Sequence, residues 1–268
     1  MFQSIPRRAV QQFRYARAMQ KAKNQSTHPT GRRILSAINR AQRGEFTAEE
    51  ESAFAAIEGR RASLLAETKS IPTIDYGAGG LNPMLSKEQQ EAGMESNFTV
   101  SQIASASKPA QWDRILYELI NEFRPSHVVE MGTCVGISGS YMAHALRQNG
   151  GRLTTLEGSP TVYKLASETF RTLGYDNVDQ VQGRFAETLV PALKNKSSQI
   201  VFVDGHHDGD ATINYFNEML PYLGSGSLIV FDDIMWSPGM TASWKHVSSH
   251  HRIADAIDLT SMGVVALL

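Results

Sequence analysis

The sequence predicts an α/β fold, a mostly parallel sheet with helices on both faces, preceded by a helical extension. Three observations carry this. From residue 108 onward, short apolar runs alternate with amphipathic helical stretches, as strands joined by helical crossovers do. A glycine-bearing turn, Glu130-Met-Gly-Thr-Cys-Val-Gly-Ile-Ser138, follows the first run. Carboxylates stand at the ends of several runs, where an open α/β sheet binds its ligands.

Taken in order, residues 1–69 read as helices. Thr47 and Glu50 have the spacing of a capping box, each side chain satisfying the other's free backbone N–H. Phe54, Ile57, Leu64 and Leu65 then recur near helical spacing. Residues 70–107 hold Pro72, Gly77, Gly79, Gly80, Pro83 and many serines, which predicts a covering segment with little regular structure. The chain divides near residue 100, into an extension over 1–104 and a sheet domain over 105–268. Residues 108–123 predict a helix with Trp112, Ile115, Leu116, Leu119 and Ile120 on its apolar side. His127–Met131, Arg152–Glu157, Val178–Gln182, Ile200–Asp204 and Leu228–Asp232 read as strands, separated by helices near 138–149, 160–173, 185–195 and 211–222. Arg252–Asp258 and Gly263–Leu268 predict two further strands, the last one antiparallel.

Of the 268 residues, 41% are apolar and 20% charged, enough for one core with a sizeable extension. The single cysteine, Cys134, excludes an internal disulfide and points to the cytoplasm. No apolar run approaches the roughly 20 residues of a membrane span, and the N-terminus lacks the apolar stretch of a signal peptide. The net charge of −1 hides an asymmetry: residues 1–44 carry ten Lys or Arg and no acid, leaving 16 basic against 27 acidic residues elsewhere. Such an arm suits packing on the acidic body, selection of an anionic acceptor, or a mitochondrial transit peptide. No stacking-aromatic motif supports a nucleic-acid partner.

The glycines at 132, 136 and 139 let backbone approach a ligand closely, and the following helix offers free N–H groups. They are not spaced as the dinucleotide fingerprint requires, which disfavours a nicotinamide oxidoreductase. Glu157, at the second strand end, stands 25 residues after Gly132, where a carboxylate can accept ribose hydroxyls; Gly158 follows it. At the third strand end, Gly183 allows close approach, and Phe185 or Ala186 either lines an adenine pocket or packs in the core. The fourth strand leads to Asp204-Gly-His206-His207 and the fifth to Asp232-Asp233. Three carboxylates at neighbouring strand ends repel one another, which a hard cation such as Mg²⁺ would relieve. His207 suits general-base work, with His206 as competing base or adenine-pocket wall. Asp208 and Asp210 read as caps for the next helix. Met235-Trp236-Ser-Pro-Gly-Met240 and Trp244 are candidates for an acceptor pocket or for packing.

Together these residues resemble the class I S-adenosylmethionine-dependent methyltransferases, in particular the catechol O-methyltransferase-like group, over about residues 105–268. Glu130, Gly132, Gly136 and Ser138 reproduce its E-L-G-x-x-x-G-x-S loop, with Cys134 in place of the middle glycine of the commoner form. The resemblance implies a Rossmann-like sheet, with Thr133 in the cofactor loop, Glu157 on the ribose and Gly183 to Ala186 around the adenine. It places Ser107 and Lys108 near the methionine end. It also implies metal ligands at Asp204, Asp232 and Asp233, the last being usually Asn, and a base at His207, where that group commonly has lysine. Asp204 thus counts as catalytic, cofactor-binding and metal-ligating. The chain also resembles bacterial methyltransferases with an added N-terminal region and D-G-N-H and D-D-I-H-W-S motifs.

The expected function is divalent-metal-assisted O-methylation of a small-molecule hydroxyl, with S-adenosyl-L-methionine as cofactor. The alternative is a metal-independent carboxyl O- or N-methyltransferase acting on a peptide or small molecule; a binding protein that kept the fold is a further rival. A homodimer is an assembly that the added helices would serve.

Overall fold

A computed structural model describes residues 7–26, 28–77, 85–194 and 199–268. Gly79, Gly80 and Pro83 of the expected covering segment lie outside the described residues. Three N-terminal helices come first: α1 (Arg7–Gln25), α2 (Pro29–Arg43) and α3 (Ala48–Ala66). Pro29 opens α2, where its missing N–H costs nothing, and Gly44 closes it at φ 65°. The Thr47–Glu50 capping box forms as expected at the start of α3. Phe54, Ile57 and Leu64 are buried, whereas Leu65 is exposed.

Segment 70–107 departs from expectation. It contains β1 (Ser70–Asp75) and β2 (Met94–Thr99), paired as an antiparallel ribbon, and the short helices α4 (Lys87–Ala92) and α5 (Val100–Ala104). Two hydroxyl residues of the segment are helix caps. Ser86 and Thr99 each close a capping box, with Gln89 and Gln102. Pro72 is tolerated because a two-stranded ribbon leaves edge positions that need no N–H.

The sheet domain follows as α6 (Ala110–Phe123), β3 (His127–Met131), α7 (Ile137–Arg147), β4 (Arg152–Glu157), α8 (Pro160–Thr172), β5 (Val178–Gln182), α9 (Phe185–Leu193), β6 (Ile200–Val203), α10 (Gly209–Met219), β7 (Leu228–Phe231), α11 (Pro238–Ser248), β8 (Ile253–Asp258) and β9 (Gly263–Leu267). Strand order is β5-β4-β3-β6-β7-β9-β8, with β9 antiparallel to both neighbours. The central strands β3, β6 and β7 are buried throughout, as apolar runs covered on both faces must be. From β3 the chain crosses first to β4 on one side and later to β6 on the other. That reversal opens a crevice at the carboxyl ends of these strands, and the candidate residues gather around it. Helix α11 was not foreseen; Ser237 caps it and Pro238 begins it.

The extension shares one hydrophobic core with the sheet domain. Ile34, Leu35 and Ile38 of α2 and Phe54 and Ile57 of α3 pack with Leu116, Tyr117 and Ile120 of α6. The basic helix α2 meets acids of α6: Arg40 pairs with Glu118 at 2.8 Å and Glu122 at 3.0 Å, and Arg33 with Glu122 at 2.9 Å. At the far sheet edge, Ser26 donates to Asp255 of β8. No helix among the described residues is long and apolar enough to cross a membrane.

Candidate active site

The loop after β3 is held by buried polar contacts. Glu130 is fully buried, accepting from Ser138 Oγ at 2.6 Å and Thr155 Oγ1 at 2.7 Å. Thr133 Oγ1 lies 2.6 Å from Thr155 Oγ1. Gly132 (φ 102°) runs so close to the β6 end that a β-carbon there would stand 2.0 Å from the Asp204 carbonyl oxygen. Cys134 is left-handed at φ 48°, and burial pushes its thiol up to about 12. Glu157 closes the loop from β4: Oε2 accepts the Cys134 N–H at 3.0 Å and Oε1 the Ser159 N–H at 2.9 Å.

Burial raises the Glu157 carboxyl to about 7 and that of Glu130 to about 8. A carboxyl raised on folding adds stability that is complete below its unfolded value and lost as pH climbs through the folded one. The melting temperature should therefore fall between about pH 4.5 and 8. Glu130→Gln keeps a neutral isostere and should flatten that fall without abolishing it, since Glu157 still titrates. Equal slopes in melts across this range would contradict the assignment.

Beside the loop, five polar side chains form a chain across the β6 and β7 ends. His207 Nε2 lies 3.7 Å from Asp204 Oδ1 and 4.0 Å from Asp233 Oδ2. Lys108 Nζ lies 2.7 Å from Asp233 Oδ1 and 2.5 Å from Asp232 Oδ2. Burial and Asp233 raise the Asp204 carboxyl, against the opposing pull of His207 and Lys108. Asp232 is buried, and its Oδ1 takes no hydrogen bond. His206 is tied elsewhere: Nδ1 meets Tyr215 Oη and Nε2 meets Gln90 Oε1, both at 2.8 Å. A neutral ring protonated on Nε2 satisfies both contacts, and burial lowers its proton affinity.

Strand order, the glycine turn at the switch point and the carboxylate at the β4 end agree with one known arrangement, and residues 129–234 match the family described as "Methyltransferase domain". Residues 129–234 thus match a methyltransferase domain, and the sheet has the fold of solved methyltransferases. It is 28% identical over 141 residues to the catechol O-methyltransferase of Niastella koreensis, covering 50% of this chain and 62% of that one. The chain therefore spans less than two thirds of that relative. Cofactor-bound Rv0187 from MTB superposes with a TM-score of 0.54 at 22% identity, over 60% of this chain and 81% of that one. The O-methyltransferase TomG from Streptomyces achromogenes, solved with SAM, gives 0.52 at 21% identity, over 60% and 82%.

Within the sheet domain, Glu130, Gly132, Thr133, Gly136, Ser138 and Glu157 form one connected unit. Phe185 packs on Tyr215 and against Gly205, beside His206. Gly158 faces the Tyr76 ring, which a β-carbon would meet at 2.7 Å. The Gly183 backbone N–H donates to the Glu157 carbonyl at 3.0 Å. Trp236 is exposed beside His207, with ring centroids 6.3 Å apart, whereas Met240 and Trp244 are buried. Asp208 caps α10, but Asp210 instead pairs with Lys87.

A three-aspartate metal centre is the expectation at these strand ends. One cation draws its oxygen ligands to about 2.0–2.6 Å from a common point. Among the described residues no three acidic, histidine or cysteine side chains converge in that way, and the Lys108 ammonium sits between Asp232 and Asp233. The donors present do not fit a divalent ion. The S-adenosylmethionine reading passes the corresponding test: the Ser107 hydroxyl is buried without a partner, as a ligand-facing group would be.

Sequence reasoning missed Arg61, Gln90 and Tyr76. Arg61 of α3 reaches Asp113 at 2.7 Å, Glu58 at 2.9 Å and the Lys108 carbonyl oxygen at 2.5 Å. Its signal was available: positions 54, 57, 61 and 64 form one helical stripe, and Arg61 stands where an apolar residue would be expected. Gln90 and Tyr76 carry no comparable signal.

Proposed function

We propose that this chain is an S-adenosylmethionine-dependent methyltransferase acting on an oxygen of a small molecule. The observation that carries the reading is the closure of the 130–138 loop on Glu157 next to the Asp204–His207 pair. When bound, S-adenosylmethionine supplies an electrophilic methyl on a sulfonium. Glu157 would hold the ribose hydroxyls, Gly158, Phe185 and His206 would surround the adenine, and Ser107 would meet the methionine end. The loop backbone from Gly132 to Gly136 would line the space between them.

His207 would take the proton of the acceptor hydroxyl on Nε2, and Asp204 would stabilise the resulting imidazolium. The acceptor oxygen forms its new bond to the methyl carbon as the carbon–sulfur bond breaks, with the electron pair staying on sulfur. Most of the acceleration comes from alignment, which supplies about 7–11 kcal/mol in well-oriented systems. No step of this reading runs through a metal. Trp236 offers a planar acceptor an apolar face.

Two measurements test this. Calorimetric titration with S-adenosylhomocysteine should show one site per chain, and loss of that binding would end the reading. Tritium transfer from labelled S-adenosylmethionine to a panel of phenols, catechols and carboxylic acids should identify an acceptor. On it, His207→Ala should lower kcat by about 10²–10⁴-fold with homocysteine-product affinity unchanged. An unchanged kcat would remove His207 from the mechanism.

A further inference from the structure

We propose that the Lys108 ammonium is the resident cation of this site, doing at Asp232 and Asp233 what a divalent ion was expected to do. The inference rests on the methyltransferase reading and deepens it. Asp232 is 1% exposed, and a carboxylate so buried is costly unless a positive group compensates it. Lys108 Nζ, with a side chain 13% exposed, is within 2.5 Å of Asp232 and 2.7 Å of Asp233. The Asp233 contact is a charge-assisted hydrogen bond, and the Asp232 contact is a close ion pair.

The lysine is itself held in place. Arg61 donates to its carbonyl oxygen and is anchored on the fully buried Asp113. Pro109 and the start of α6 follow directly. Lys108 is thus fixed at its backbone by the N-terminal extension and at its tip by two aspartates. A metal ion between those aspartates would have to displace a charge already paired there.

This assignment narrows the acceptor. A divalent ion favours acceptors with two adjacent oxygens, because it offers several coordination positions at once. An ammonium has three N–H donors; Lys108 gives one to Asp233 and sits against Asp232 as an ion pair. It offers an acceptor single-point contacts and no coordination positions, so a lone hydroxyl or carboxylate is sufficient.

The test uses the full chain and Mn²⁺ followed by electron paramagnetic resonance, with melting curves in parallel. Wild type should leave the free Mn²⁺ signal undiminished up to about 1 mM, the weak end of protein sites for hard cations. Lys108→Met should lower the melting temperature by about 5–15 °C, and Mn²⁺ should restore part of it by filling the vacated position. Lys108→Arg should stay near wild type and bind no Mn²⁺. One tight Mn²⁺ site on wild type would overturn the proposal, as would a Lys108→Met protein melting like wild type. If Lys108→Met does not fold, the wild-type and Lys108→Arg arms decide. Titration with S-adenosylhomocysteine is read separately, so failure of the methyltransferase reading stays distinguishable from failure of this one.

Discussion

Arg61→Ala is expected to be among the most damaging single substitutions in this chain, although Arg61 lies far in sequence from the cofactor loop. Removing it leaves Asp113 fully buried without its counter-charge, and Asp113 Oδ1 already lacks a hydrogen bond. Breaking a buried pair from one side costs about 3–5 kcal/mol, which predicts a melting temperature lowered by roughly 10 °C. Even with Arg61 present, burial raises the Asp113 carboxyl to about 7. The double variant Arg61→Met with Asp113→Asn removes both charges and should recover much of the loss. Recovery in calorimetric melts would identify the unpaired charge as the cause; a double variant no better than Arg61→Ala would point to lost packing instead.

Gly132→Ala should act on binding more than on any other property. A β-carbon at Gly132 meets backbone, the Asp204 carbonyl oxygen at 2.0 Å, and φ is 102°. Neither atom has a rotamer to escape into, so the β3 and β6 ends must separate, and both carry the candidate site. S-adenosylhomocysteine affinity should fall at least about 100-fold, or about 2.7 kcal/mol. Gly174→Ala is the control: φ is 73°, but nothing lies within 4 Å of its β-carbon. It should cost only about 1–2 kcal/mol of backbone strain and leave affinity unchanged. Equal losses of affinity in the two variants would mean that backbone conformation, not the close approach, is what matters.

The parts of the fold that were legible in advance share a physical cause. β3, β6 and β7 are buried on both faces, so burial demanded the continuous apolar runs that were read as strands. The Thr47–Glu50 cap was legible because its two residues satisfy each other locally. The β1–β2 ribbon was not, because its half-exposed strands carry polar residues and a proline. α11 was hidden by Met235 and Trp236, which drew attention as pocket residues just before the cap that begins the helix. At the candidate site, the acidic strand ends stood out, but their counter-ion did not. Lys108 meets Asp233 across 125 residues of sequence, and local spacing carries no trace of such a contact.

The clasp between α2 and the last part of the sheet constrains how the chain is made. α2 is complete at residue 43, yet one of its mates, β8, begins at Ile253. At ribosomal rates of about 5–20 residues per second, roughly 10–40 s separate the two. Through that interval the nascent protein carries an amphipathic, positively charged helix that lacks part of its eventual cover. A helix made well before β8 is thus finished only with it. A ribosome that stalls before β8 releases a product whose defect shows far upstream, at α2.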